Sequence, residues 1–160
     1  MDAPFRIYYQ SPLGLVEIAG TDTAVTGLNF IETKPGKESE APPVLRDALR
    51  QIDEYFLGRR MDFSVPLRTD GTPFQEKVWR ALRTIGYGMT ASYQEIARAV
   101  DRPAAVRAVG AANGANPISI IIPCHRVIGK DGSLTGYGGG LRRKEWLLAH
   151  EQRGCGPLFA

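Results

Sequence analysis

The stretch Ile118-Ser119-Ile120-Ile121-Ile122-Pro123-Cys124-His125-Arg126 sets a cysteine at the end of an isoleucine-rich run. Such a run predicts a buried, strand-like segment. A buried segment that ends in proline delivers the following residue to the edge of the core, where a side chain can meet a ligand while its backbone is held. We therefore expect Cys124 to be a functional residue on a well-supported backbone.

The residues that follow Cys124 suit thiol chemistry. The thiolate is the reactive form of cysteine, and a nearby cation or hydrogen-bond donor increases its fraction; His125 and Arg126 are candidates for that role. Successive side chains in extended backbone point to opposite faces, so contact between Cys124 and His125 would need a local turn or a bridging water. No metal site is expected, because the two histidines and two cysteines lack the paired spacing of closed zinc sites.

The second half of the chain is predicted to be mostly helical. Thr72 as N-cap and Pro73 at the first helical position begin one helix, and Ser92 caps another. Two short helices around a tight turn at residues 101–103 suggest a helix-turn-helix. The predicted elements are helices over residues 73–85, 93–100 and 104–112, a glycine-rich loop over 129–140 and a closing helix over 141–151.

The first half has the pattern of a small α/β unit. Short apolar runs alternate with turn residues over residues 5–31, which is typical of an antiparallel meander. Leu45, Leu49, Ile52 and Phe56 then follow helical spacing, which predicts an amphipathic helix that stops at Gly58. Residues 63–67 are predicted as one more strand, residues 68–71 as a linker, and the domains as residues 1–70 and 71–160.

Charge is spread unevenly along the 160 residues, whose net charge is +3. Residues 1–72 hold 8 basic and 11 acidic residues, a net −3, whereas residues 73–160 hold 12 and 6, a net +6. A basic half favours a phosphate-bearing partner, although chance variation of surface charge explains this pattern equally well.

No apolar run approaches the roughly 20 residues that a membrane span requires. We therefore expect a cytosolic protein, or a nuclear one in a eukaryote, with no membrane partner. Cys155 lies between glycines near the end of the chain, so a disulfide with Cys124 is not expected.

From about Thr72 to Glu151 the sequence resembles, without a gap, the O6-alkylguanine-DNA alkyltransferases, also called methylated-DNA–protein-cysteine methyltransferases. The motifs that carry the resemblance are Arg107-Ala108-Val109-Gly110, Asn116-Pro117, Ile121-Ile122-Pro123-Cys124-His125-Arg126-Val127-Ile128, Gly136-Tyr137-Gly138-Gly139-Gly140-Leu141 and Lys144-Glu145-Trp146-Leu147-Leu148-Ala149-His150-Glu151. The resemblance implies an α+β protein with a ribonuclease H-like N-terminal domain. A mostly helical, winged-helix-like domain with a helix-turn-helix would follow.

The resemblance also implies the chemistry. Cys124 would attack the alkyl carbon on O6 of guanine, or on O4 of thymine, and keep it as a thioether, so that each molecule acts once. His125 would act as a base through a water and Glu151 would orient it. Asn116 would hold the backbone between the helix-turn-helix and the cysteine. No cofactor is implied, because the lesion itself is the alkyl donor.

The implied partner is double-stranded DNA that contains O6-alkylguanine, bound by a monomer; cooperative binding along DNA stays open. The target base must rotate out of the duplex. Arg107 would fill the gap, and Tyr93 would crowd the phosphate. Ala108 and Gly110 are short enough to approach a minor groove about 6 Å wide. Arg126 is also assigned a DNA contact.

The glycine-rich loop would close the base pocket. The substrate contacts implied by the resemblance are Tyr93, Ile122, Tyr137, Gly138 and Gly139, with Tyr137 as the proton donor. Some relatives carry a serine where Gly138 stands, so one side-chain hydrogen bond is missing here and the tolerated alkyl size stays open. The zinc ligands that some relatives carry in their first domain are absent as well.

Three alternatives remain at the level of sequence. A binding-only relative that flags alkylated bases lacks the cysteine nucleophile, so Cys124 argues against it. A helix-turn-helix regulator that reads sequence would carry more Arg, Asn or Gln along its second helix than Arg107 and Asn113. A turnover cysteine hydrolase would need an oxyanion site, which only the glycine-rich loop offers.

Overall fold

The computed structural model describes residues 5–34 and 38–154, so Cys155 lies outside the described residues. The chain divides into two compact units, residues 1–70 and 71–160. Within the described ranges, no helix is both long enough and apolar enough to cross a membrane.

Unit 1 is an antiparallel meander with one helix. Its strands β1 (Phe5–Ser11), β2 (Gly14–Gly20) and β3 (Val25–Phe30) pair in the order β1-β2-β3, as the alternating pattern predicts. Helix α1 (Pro43–Phe56) contacts all three strands. The apolar positions of α1 and the inward residues of β2 form the core, in which Ile18, Leu45 and Ile52 are fully buried.

The strand predicted at residues 63–67 is wrong. Leu67 forms only one parallel bridge, with Val25 of β3. The Val25 N–H donates to the Pro66 carbonyl and the Arg68 N–H donates to the Val25 carbonyl. Pro66 has no N–H of its own, so the ladder cannot extend in that direction.

Unit 2 is mostly helical. Thr72 and Ser92 each form a capping box, with Gln75 and Glu95 respectively, and so fix the first residues of two helices as predicted. The elements are helices α2 (Pro73–Leu82), α3 (Tyr93–Ala99), α4 (Val106–Gly114) and α5 (Leu141–Gly154), and the short parallel strands β4 (Ala91–Ser92) and β5 (Val127–Ile128).

Helix α2 ends three residues before the predicted end at Ile85. The N–H groups of Thr84 and Ile85 donate to the carbonyls of Ala81 and Leu82, so tighter turns follow the helix. The Thr84 hydroxyl also donates to the Ala81 carbonyl at 2.6 Å. Ile85 remains buried, which explains why its spacing looked helical.

Helices α3 and α4 form the predicted helix-turn-helix. Asp101 adopts a φ of 59° in the turn between them, and α4 begins two residues later than expected, at Val106. The Trp79 indole N–H of α2 donates to the Ala112 carbonyl at 2.8 Å and anchors α4. Val109 and Ala112 are buried, whereas Arg107 and Ala108 are exposed.

The isoleucine run is buried as predicted but is not a strand. Residues 119–121 form a turn, with Ile120 at a φ of 72° and the Ile122 N–H bonded to the Ile118 carbonyl at 3.0 Å. Asn116 closes this turn, since its Oδ1 accepts from the Ile118 N–H at 3.0 Å and its Nδ2 donates to the Ile122 carbonyl at 2.7 Å. These contacts satisfy the backbone that a strand partner would otherwise pair.

Candidate active site

Cys124 begins a short 3-10 helix, Cys124–Arg126, which we call the cysteine turn. The Cys124 N–H donates to the Ile122 carbonyl at 2.8 Å, and the Asn113 Nδ2 donates to the Cys124 carbonyl at 3.3 Å. The Cys124 side chain is buried, with the residue 4% exposed. The backbone that carries the thiol is therefore held by side chains from α4 and from the turn after it.

Burial raises the pKa of the Cys124 thiol. The Asn116 side chain, the positive charge of Lys144 and the N–H groups of Cys124 and His125 act in the opposite direction, without fully offsetting the burial. The thiol is therefore mostly protonated at neutral pH. A base is needed to form the thiolate.

His125 is fully buried, and its Nε2 lies 2.7 Å from Oε2 of Glu151. Burial lowers the pKa of His125, and the Glu151 hydrogen bond and charge only partly oppose this, so the imidazole is neutral. Burial alone would raise the pKa of Glu151, but the hydrogen bonds and charges of His125 and Arg126 hold it well below its usual range.

These pKa directions assign the histidine tautomer. Because Glu151 is a carboxylate, it accepts the hydrogen bond, and the proton of the neutral imidazole lies on Nε2. The lone pair of Nδ1 is then free, and this atom is buried without a hydrogen-bond partner. His125 thus presents a basic nitrogen from within the cysteine turn.

Arg126 does not occupy a DNA-facing position, so the DNA contact assigned to it is corrected. Its Nε and Nη2 donate to the Glu151 carboxylate at 2.8 and 3.1 Å, and its Nη1 donates to the Ile85 carbonyl at 2.6 Å. The residue is buried, at 6% exposure. Arg126 neutralises Glu151, whose charge near the C-terminal end of α5 would otherwise be unfavourable.

Lys144 is a buried cation that the sequence pattern did not reveal, because a lysine in a helix is normally solvated. Its Nζ donates to the carbonyls of Val127 and Thr135 at 2.6 and 2.8 Å. The hydroxyl of Tyr93 donates to the same Thr135 carbonyl at 3.0 Å. Lys144 and Tyr93 together hold the glycine-rich loop in place at the Thr135 carbonyl.

Tyr137 supplies an unsatisfied hydroxyl within that loop. Its Oη is buried without a hydrogen bond of normal geometry, although Ser119 lies close enough to interact with it. Burial, with a smaller contribution from Cys124, raises the pKa of Tyr137 strongly. The hydroxyl therefore keeps its proton and can donate a hydrogen bond to a ligand.

The remaining sequence-predicted residues lie in three places. Arg107 and Ala108 are on the exposed side of α4. Gly110 packs close to the ring of Tyr93, since a Cβ added at Gly110 would lie 3.9 Å from Cε1 of that ring. Ile122 is buried beside the cysteine turn. Gly138 and Gly139 are in the loop, where Gly138 is exposed.

Among the described residues no three His, Cys, Asp or Glu side chains are grouped as metal ligands. A helix-turn-helix together with a buried Cys, His and Glu is the combination expected of a cysteine-dependent, DNA-modifying protein. Residues 73–153 match the family model of the 6-O-methylguanine DNA methyltransferase DNA-binding domain, and residues 5–69 match that of its ribonuclease-like domain. The chain belongs to the 6-O-methylguanine DNA methyltransferase family.

Individual relatives agree with this membership. The chain is 50% identical over 147 residues to the methylated-DNA–protein-cysteine methyltransferase of Mycolicibacterium paratuberculosis, covering 89% of each protein. It is 46% identical over 154 residues to the Methanosarcina barkeri protein of the same name, covering 91% of this chain and 98% of that one.

Solved structures share the whole fold. The Mycobacterium tuberculosis O6-methylguanine methyltransferase matches with a TM-score of 0.86 and 44% identity, covering 98% of this chain and 99% of that one. The Mycobacterium tuberculosis OGT in complex with DNA matches with a TM-score of 0.85 and 47% identity over 92% of each chain. The α+β fold and the family resemblance inferred from the sequence are thereby confirmed.

Proposed function

We propose that this protein repairs DNA by moving the alkyl group of O6-alkylguanine, or of O4-alkylthymine, irreversibly to Sγ of Cys124. One observation carries the proposal. A protonated, buried thiol lies next in sequence to a buried histidine whose Nε2 is fixed by Glu151 at 2.7 Å and whose Nδ1 has no partner. This arrangement supplies a base to a nucleophile that needs one.

The reaction begins with proton transfer. Nδ1 of His125 takes the thiol proton through a bridging water, and Glu151 stabilises the resulting imidazolium. Sγ attacks the alkyl carbon, so the S–C bond forms as the C–O6 bond breaks and the electron pair stays on the departing guanine. The Tyr137 hydroxyl donates a hydrogen bond to that oxygen. The proton taken from the thiol ends on guanine, which balances the reaction.

The product is a neutral thioether, so its sulfur is no longer an anionic nucleophile. Removal of the alkyl group would need another nucleophile to attack the alkyl carbon and expel the Cys124 thiolate, which is a poor leaving group. Nothing in this scheme removes the alkyl group again. Each molecule therefore acts once, and one chain suffices because the reacting residues all belong to unit 2.

Access to the base is proposed to come from the minor groove. The exposed side of α4 combines the cation Arg107 with short side chains such as Ala108, which allow close approach to the groove. Arg107 fills the space that the rotated base leaves, and Tyr93 contacts the rotated nucleotide. Such a substrate puts the protein where the DNA is, in the cytosol, or in the nucleus of a eukaryote.

A mass measurement tests the proposal. The protein is incubated with an excess of duplex that contains O6-methylguanine, and intact mass and repaired base are quantified together. We expect one methyl group per protein molecule, located on the peptide that contains Cys124, and no transfer by Cys124→Ser. Product beyond one equivalent contradicts the single turnover, and methylation of another residue contradicts the assignment of Cys124.

A further inference from the structure

Asn113 is a buried polar residue that the reaction scheme leaves without a role. It lies on α4 and is 2% exposed. Its Nδ2 donates to the Cys124 carbonyl at 3.3 Å, and its Oδ1 is buried without a partner. The opposite amide orientation would set two acceptor oxygens against each other. A buried acceptor without a partner disfavours folding, so stability does not explain this side chain.

We infer that Asn113 is a positioning residue for the nucleophile: it holds the Cys124 carbonyl and thereby keeps the His125 N–H directed at Sγ. The inference rests on the proposed transfer to Cys124. The Cys124 carbonyl and the His125 N–H belong to one planar peptide group, and no cis peptide bond occurs in the described chain. In a trans peptide these two groups point in opposite directions, so a donor that fixes one fixes the other.

The His125 N–H matters because it favours the charged form of the sulfur. The backbone N–H groups of Cys124 and His125 both lower the pKa of the thiol against the effect of burial. The Cys124 N–H already donates to the Ile122 carbonyl, so the His125 N–H is more available to donate to the sulfur. A hydrogen bond to an anionic acceptor is stronger than one to a neutral acceptor. Fixing this donor therefore stabilises the thiolate more than the thiol.

The other groups around the sulfur do not depend on Asn113. Asn116 comes from the turn after α4, where it bonds to Ile118 and Ile122. Lys144 comes from α5 and Tyr137 comes from the loop. Arg126 is held by Glu151. The Val127 N–H also donates to the Cys124 carbonyl, so the Asn113 variant keeps one of these two hydrogen bonds. We expect the other groups to stay in place when the Asn113 amide is replaced, so that a change in the acidity of the thiol reports on the lost hydrogen bond.

The test compares the full chain with Asn113→Leu, which keeps the branched shape and removes both polar atoms. The rate of iodoacetamide addition to Cys124 is measured against pH, on the separated peptides so that Cys155 is counted apart. We expect the midpoint to rise by about one pH unit, which slows the reaction about tenfold near neutral pH, while the two rates converge at high pH. Alkyl transfer from the free O6-alkylguanine base should show the same shift.

Gln94→Leu is the matched control, because Gln94 of α3 also has a buried side-chain oxygen without a partner. We expect its midpoint to equal that of the unchanged protein. If Asn113→Leu does not fold, Asn113→Ala carries the same expectation. An unchanged midpoint, or equal slowing at every pH, overturns the inference. A protein that accepts no alkyl group from DNA contradicts the proposed function instead, since the iodoacetamide comparison does not depend on it.

Discussion

At the scale of single residues, Glu151 links the chemistry of the site to its stability. Its carboxylate accepts hydrogen bonds from His125, from Arg126 and, at 3.2 Å, from the Gly88 N–H. One buried anion thus fixes the tautomer of the base, compensates a buried guanidinium and ties down the loop after α2. Because these tasks share one side chain, replacing Glu151 should lower both the free energy of unfolding and the rate of alkyl transfer.

Glu151→Gln should destabilise unit 2 by about 3–5 kcal/mol, because it leaves Arg126 as a buried charge without a counter-ion. Urea unfolding monitored by Trp fluorescence measures this, since Trp79 and Trp146 are the only tryptophans and both lie in unit 2. Glu145→Gln, an exposed position on the same helix, is the control and should change the free energy of unfolding by less than about 0.5 kcal/mol. Similar small effects in both variants would contradict the role given to Glu151.

The buried pair of His125 and Glu151 predicts how the free energy of unfolding depends on pH. The pKa values of His125 and Glu151 are both lower in the folded protein than the ordinary 6.5 and 4.5. The unfolded chain therefore binds more protons as the pH falls, first near pH 6.5 and again near pH 4.5. The free energy of unfolding should be greatest above about pH 6.5 and fall steadily towards pH 4. Urea titrations at several pH values check this, and a flat profile between pH 7 and 4 would rule it out.

At the scale of elements, the sequence predicted the meander and each of the α-helices α1 to α5 that the described residues form, because capping residues and apolar spacing are local signals. It did not predict the short 3-10 helix of the cysteine turn. Thr72 and Ser92 even fixed the first residues of α2 and α3. The isoleucine run was mistaken for a strand because burial without alternation does not distinguish a strand from a buried turn. What folds it is the Asn116 side chain, a contact to the backbone that composition does not report.

The site was predictable to a similar extent. Cys124, His125 and Glu151 follow from the motif, and the structure brings His125 and Glu151 into direct contact. Arg126 was misassigned and Lys144 was missed for the same reason: sequence does not show which cations are buried, and exposure is the ordinary expectation for both. Asn113 gave no signal beyond being a polar residue in an Ala-rich helix.

The glycine-rich loop offers a matched pair of substitutions. Gly140 has a φ of 95° in open space, whereas Gly138 lies outside the left-handed region and an added Cβ there would meet only the Gly114 carbonyl, at 3.8 Å. Gly140→Ala should strain the loop by about 1–2 kcal/mol and slow alkyl transfer, while Gly138→Ala should be tolerated. Single-turnover rates with a short methylated duplex measure both variants. Equal rates would mean that the backbone at Gly140 does not set the position of the loop.

At the scale of the whole molecule, the two units differ in the sign of their net charge, and each unit matches a different family model. Residues 73–160 carry a net +6 and match the DNA-binding domain, and residues 1–72 carry a net −3 and contribute the ribonuclease-like domain. A basic unit attracts the phosphate backbone whatever the sequence of the DNA. The chemistry at Cys124, by contrast, needs only the base. Substrates with and without a duplex therefore separate the two properties.

Arg107→Ala should expose this separation. Arg107 is exposed on α4, where none of the described residues pairs with it in an ion pair, so its loss should leave unit 2 folded. We expect alkyl transfer from a duplex to slow by at least about tenfold. Rotating the base out of the stack costs a few kcal/mol, and in the variant no side chain fills the space that the base leaves. Transfer from the free base should change by less than about twofold. Both rates are measured as single turnovers under the same conditions.

Lys130→Ala, which removes another exposed cation from unit 2, is the control for net charge. It should slow the duplex reaction only through weaker binding, and this effect should disappear at saturating DNA. Equal losses on duplex and free base would refute a base-rotation role for Arg107, because the free base has no stack to leave.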